Sequence, residues 1–248
     1  MFWNKKPKSP ITPEDEEWLR QAIDWFERSF GKDISQQEIF LPTKSFIGFD
    51  YKHTEEDVYR LFDLVAEKMK IEDSAVFEVH FFTESGPMAF SDEGAYTNFE
   101  EGEKTTLGDY NKIIDGIYQI GIDRSLIHRP VDLIGTIAHE LAHVKLLGGD
   151  LLEENDEPLT DITASLFGFM VFISHGTVSR FSAWTGSSHQ GWQLSGTAGY
   201  LHYKLHAFVA ALLMERLDDE APEWLDYLDK EIVSEAAKAT KYLRSLKG

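Results

Sequence analysis

Cysteine is absent from this 248-residue chain. That excludes a disulfide framework, a thiolate-held zinc or iron–sulfur cluster, and a thiol nucleophile. Any metal must then rest on histidine and carboxylate side chains. Basic residues are scarce: 24 Lys and Arg stand against 43 Asp and Glu, a formal net charge of −19. A field of that sign repels phosphate backbones and anionic headgroups, so neither nucleic acid nor a membrane surface is an expected partner. Long apolar runs are missing too. The longest, Ala164 to Ile173, has ten residues, about half of what a bilayer-spanning helix needs. No apolar run follows the lysines of Met1 to Lys8, so no secretory signal is expected there. The expected compartment is the cytoplasm.

What remains is ordinary globular composition, 42% hydrophobic and 27% charged, enough to close a core without staples. Thr12-Pro13-Glu14-Asp15 reads as a helix start, with Gly31 as its stop. Thr54 opens a second helix with Asp57 in capping-box position. Glu38 to Leu41 and Ala75 to Phe82 read as strands, as do Gly94 to Asn98 and Ile117 to Asp123, the last two expected to pair antiparallel. Ile117 to Asp123 alternates apolar and polar residues, which predicts a half-exposed strand at a sheet edge, open to an added peptide. Pro130 opens a helix to about Leu147, stopped by Gly148-Gly149, and Pro158 opens another to about Ser174. Gly176 to Gly199 reads as a long Gly/Ser/Thr loop, followed by a helix over Tyr200 to Leu217. This order implies an α+β fold, one domain over 1–248, mixed over 1–128 and helical over 129–248.

The chemistry concentrates in His139-Glu140-Leu141-Ala142-His143. On a helix, residues four apart share a face, so both imidazoles can hold one ion. Glu140 is turned about 100° from His139, placed to act on a water rather than to ligate. That is the division of labour in HExxH hydrolases, with zinc on two His and Glu as base. Chance gives this pattern only about 0.03 times in a chain of this composition.

A catalytic zinc wants a third protein ligand. The metzincin spacing fails, because the required Gly and His positions hold Leu146 and Gly149. Glu157 and Asp161 lie four apart at the start of the next helix and share a face. Asp156 and Glu154 are rival ligands, and an acidic helix start also suits the macrodipole. Small residues on the same face, Ala164, Ser165 and Gly168, would let the two helices approach closely.

H-E-x-x-H followed by E-x-x-x-D resembles the gluzincins, the thermolysin-like zinc metallopeptidases. The spacer here, thirteen residues between His143 and Glu157, is shorter than in that family. The chain is also similar to a family of uncharacterised bacterial proteins that share ITPEDEEW-like, LPT, AHELAHV, EPLTD-like and GYL segments. The resemblance implies a zincin-like fold, a small antiparallel or mixed sheet packed on the metal-binding helix, and zinc-dependent cleavage of a peptide or protein substrate. It implies zinc on His139, His143 and Glu157, with Asp161 orienting a zinc-bound His. Tyr200, in Gly-Tyr-Leu, is the first candidate for a proton donor to the transition state, ahead of His202, Tyr203 and His206. The other readings are a non-peptide metallohydrolase and a zinc-stabilised interaction or regulatory module. His53, His80, His128, His175 and His189 lack ligand spacing and read as structural.

Overall fold

A computed structural model describes residues 7–72, 74–83, 108–114, 117–149, 151–175, 177–185, 188–195 and 201–247, of which 108–114, 178–185 and 188–195 are described as backbone only. The architecture is α+β and mostly helical. Helix α1, Pro13–Phe30, starts at Thr12, whose side chain accepts from the Asp15 amide, and stops at Gly31 with φ +59°. It buries Leu19, Ala22, Ile23 and Phe26 at helical spacing. A short turn, α2 at Lys44–Ile47, follows. Helix α3, Glu55–Met69, carries the reciprocal Thr54/Asp57 capping box and buries Val58, Leu61, Phe62, Val65 and Met69.

Strands β1 (Val76–Phe82), β2 (Gly108–Ile114) and β3 (Ile117–Asp123) form a sheet in the order β1-β3-β2. Two expectations are corrected here. β3 pairs parallel with β1, from Val76↔Ile117 to Phe82↔Asp123, and not only antiparallel; its antiparallel partner is β2. The long stretch of sequence between β1 and β3 permits the crossover that parallel pairing needs. β3 is also central rather than an edge, so it cannot receive a peptide as an added strand. Its second half, Ile120 to Asp123, is buried on both faces, as expected of a strand flanked on both sides. The predicted strand over Gly94 to Asn98 lies outside the described residues.

Helix α4, Pro130–His143, passes through the core. From Leu133 to His143 every residue but Thr136 is buried, and α3, β2 and the two helices that follow pack against it. It runs into a π-helical turn, Val144–Gly148. Helix α5, Glu157–Ala164, passes into a second π-helical turn, Ser165–Phe169, and then α6, Met170–Ile173. α6 lies so close to α4 that a Cβ on Gly135 would sit 2.7 Å from the Phe172 carbonyl oxygen.

The continuous helix expected from Pro158 to Ser174 is therefore broken, at Gly168, where φ is +103°. The cause is a long-range contact. The segment at 38–41, expected as a strand, joins no ladder and docks here, the Phe40 amide donating to the Gly168 carbonyl at 2.8 Å. A Cβ on Gly168 would collide with the Glu38 carbonyl oxygen. Gly168→Ala should thus cost roughly 2–4 kcal/mol, from backbone strain plus a clash with main chain. Urea unfolding checks this; a loss under 0.5 kcal/mol, the ordinary surface range, would mean the break is not enforced.

The expected loop over Gly176 to Gly199 contains two antiparallel strands, β4 (Val178–Thr185) and β5 (Ser188–Ser195), in register from Val178↔Ser195 to Thr185↔Ser188. Val178, Phe181, Trp184 and Thr185 are strand formers, and the Gly186-Ser187 dipeptide between the strands is a hairpin signal. Helices α7, Tyr203–Arg216, and α8, Lys230–Lys247, pack together and end the described chain. Among the described residues, no helix is long and apolar enough to cross a membrane.

Candidate metal centre

His139 and His143 project from one face of α4 at its C-terminal end, where their rings meet edge-on with centroids 4.7 Å apart. Their Nε2 atoms are 3.0 Å apart. Glu157, the first residue of α5, brings Oε2 to 3.0 Å from His139 Nε2 and 3.4 Å from His143 Nε2. Among the described residues, His139, His143 and Glu157 are the group of His and carboxylate side chains able to hold a metal ion. A tetrahedral zinc with ligands at about 2.0–2.1 Å has ligand–ligand edges of about 3.3–3.4 Å. The triangle formed by these three atoms is close to one face of that tetrahedron.

The hydrogen bonds behind the triangle fix its electronic character. His139 Nδ1 lies 2.7 Å from Asp161 Oδ1, and a carboxylate only accepts, so Nδ1 is the donor. Asp161 is in turn held from behind, since its Oδ2 accepts from the Leu201 amide at 3.1 Å. His143 Nδ1 lies 3.3 Å from Thr160 Oγ1. That hydroxyl donates its proton to the Asp156 carbonyl at 2.9 Å, so toward His143 it accepts. Both rings therefore carry hydrogen on Nδ1 and, when neutral, turn an Nε2 lone pair inward. Glu157 adds a carboxylate oxygen, while its Oε1 is held by Asn155 Nδ2 at 2.8 Å. Three electron pairs converge within 3.4 Å, an arrangement that could hold a cation.

Without metal, a proton takes that place. Burial opposes charge on His139, but its hydrogen bonds to Asp161 and Glu157 outweigh this and raise its pKa to about 10. Burial lowers the pKa of His143, and the charge of His139 lowers it further. Burial pushes Glu157 up, yet its hydrogen bonds to His139 and His143 hold it well below the usual carboxylate range.

The rival ligands are placed elsewhere. The Asp156 carboxylate caps α5, accepting from the Leu159 amide at 3.0 Å, and Glu154 is exposed. Glu140 is buried, 3% exposed. Tyr200 lies outside the described residues. Of the other donor candidates, His202 caps α7 through its side chain. His206 is fully buried, its nitrogens have no hydrogen-bond partner among the described residues, and burial lowers its pKa to about 4. His175 pairs with Asp132 and His53 Nδ1 meets the Ile127 carbonyl.

Three supporting groups escape sequence reading. Thr160 follows Asp156 by four residues, a helix back-bonding pattern that could have marked it. Asn155 and the Leu201 amide carry no such signal. Asp161→Ala should remove the acceptor that orients His139, with zinc affinity falling ~10–100-fold. Competition with a fluorescent chelator measures it; unchanged affinity would reduce Asp161 to a helix-start acid.

No family model matches the chain, and neither a curated protein nor a solved structure matches it.

Proposed function

We propose that this protein is a zinc-dependent hydrolase, specifically a metallopeptidase with a zincin-like arrangement of α4 and α5. The observation that carries the proposal is the convergence of His139 Nε2, His143 Nε2 and Glu157 Oε2, with both Nδ1 atoms already committed to acceptors. A structural zinc site closes itself with four protein ligands, whereas three leave a position for chemistry. The peptide choice rests on the resemblance of the two i, i+4 pairs to the gluzincin pattern.

His139, His143 and Glu157 would hold the ion. Bound zinc supplies a Lewis acid for the scissile carbonyl and lowers the pKa of water to about 7. Asp161 and Thr160 keep each imidazole in the tautomer that presents Nε2. Glu140, on the neighbouring face of α4, accepts the proton of the attacking water and returns it to the leaving nitrogen. Tyr200 is the candidate donor toward the developing oxyanion, on the sequence pattern alone. The net charge of −19 favours neutral or basic peptides over acidic ones.

A peptide library incubated with the zinc-loaded protein, with and without chelator, tests the reading. Chelator-sensitive cleavage of peptide bonds supports it. Cleavage confined to non-peptide amides or esters would move the protein to another class of metallohydrolase.

A further inference from the structure

Away from the metal site, three lysines come together at the ends of three helices. Lys32 follows α1, Lys70 caps α3 in a left-handed conformation with φ +55°, and Lys145 sits in the π-helical turn after α4. Lys145 Nζ donates to the Lys70 carbonyl at 3.1 Å and lies 5.0 Å from the centroid of the buried Phe167 ring. Lys32 Nζ lies 4.7 Å from the same centroid. The two ammonium groups are therefore within about 10 Å of each other, a Debye length at 0.1 M salt.

None of the three forms an ion pair among the described residues. That is against the trend of a chain with 43 acidic residues. Their hydrogen bonds go to neutral oxygens, Lys145 to a carbonyl and Lys32 to Gln37 Oε1 at 3.4 Å, and an ammonium has three protons to give. Glu72 acts on Lys145 only from beyond ion-pair distance. Burial lowers the pKa of Lys32, and the charge of Lys70 lowers it further, so the cluster is held at an electrostatic cost. Cations do favour helix C-termini, which accounts for one lysine at each end but not for two ammonium groups beside one ring.

We propose that Lys32 and Lys145, beside the charge of Lys70, form a binding site for a phosphate group, a compact dianion that Lys binds as a point charge. This is independent of the metal centre.

The test is calorimetric titration at low ionic strength with inorganic phosphate and, separately, with glycerol 3-phosphate, read beside melting temperatures. The wild type should bind saturably. Lys32→Gln and Lys145→Gln should each weaken binding at least about tenfold, since each removes a charged hydrogen-bond donor. Lys230→Gln, at an exposed position on α8, should leave binding unchanged. Equal binding of both ligands assigns the site to phosphate itself; tighter binding of the ester assigns it to a small phosphorylated molecule. Without phosphate, Lys32→Gln should melt at or above the wild-type temperature, because it relieves repulsion. The proposal is overturned if the wild type binds neither ligand, if Lys230→Gln weakens binding as much as the cluster variants, or if Lys32→Gln lowers the melting temperature while phosphate leaves that of the wild type unchanged.

Discussion

Replacing His139 or His143 with alanine should strip the purified protein of stoichiometric zinc. Each side chain would supply one of the three proposed ligand atoms, and the remaining pair could not enclose a tetrahedral ion. The loss in affinity should exceed the ~10–100-fold expected for an outer partner such as Asp161. Elemental analysis after dialysis reads it directly, with circular dichroism to verify that each variant folds. The pH dependence has a definite sign. In the metal-free protein His139 is protonated up to a pKa of about 10, so at neutral pH zinc must displace that proton. Affinity should fall by about tenfold per pH unit of acidification for the one displaced proton. Proton release on zinc addition in weakly buffered solution gives the same answer independently. Full zinc content in both alanine variants would remove the site.

Glu140→Gln should separate ligation from catalysis. The substitution keeps shape and hydrogen-bonding capacity but removes the proposed base. Because the Glu140 side chain leaves α4 about 100° away from His139, it is not among the ligand atoms. Zinc occupancy and melting temperature should therefore stay near those of the wild type, while hydrolysis falls by about 10²–10⁴. A variant that cleaves as fast as the wild type would show that Glu140 is not the base. A zinc-loaded wild type that cleaves nothing, but retains a binding partner equally with Glu140→Gln, would make the protein a metal-stabilised interaction module.

The parts of this fold that a reader of the sequence can find are those encoded within one helical turn. The caps at Thr12 and Gly31 and the box at Thr54 and Asp57 depend only on neighbours three or four residues away, and the structure places them there. The same holds for the pairing of His139 with His143 and the spacing of Glu157 from Asp161. What escapes is set by distant partners. Gly168 sits in an apolar run compatible with helix and breaks it because residues 38–40 dock against it. Ile117 to Asp123 reads as an edge strand by its alternation, yet β1 and β2 flank it. Gly176 to Gly199 reads as loop because its Gly and Ser content masks two strands, which among the described residues pair only with each other. At the candidate metal centre, a main-chain amide at Leu201 supports Asp161 from 40 residues away, which no local pattern encodes.

X-ray absorption at the zinc edge on the zinc-loaded wild type reads the ion's ligand sphere. A four-coordinate ion is expected, with two imidazole nitrogens at about 2.0–2.1 Å and oxygen ligands at about 2.0–2.2 Å, the imidazole signal falling by half in a His143→Ala sample loaded at high zinc concentration. A sphere of oxygen ligands without imidazole scattering, or one unchanged by His143→Ala, would contradict it.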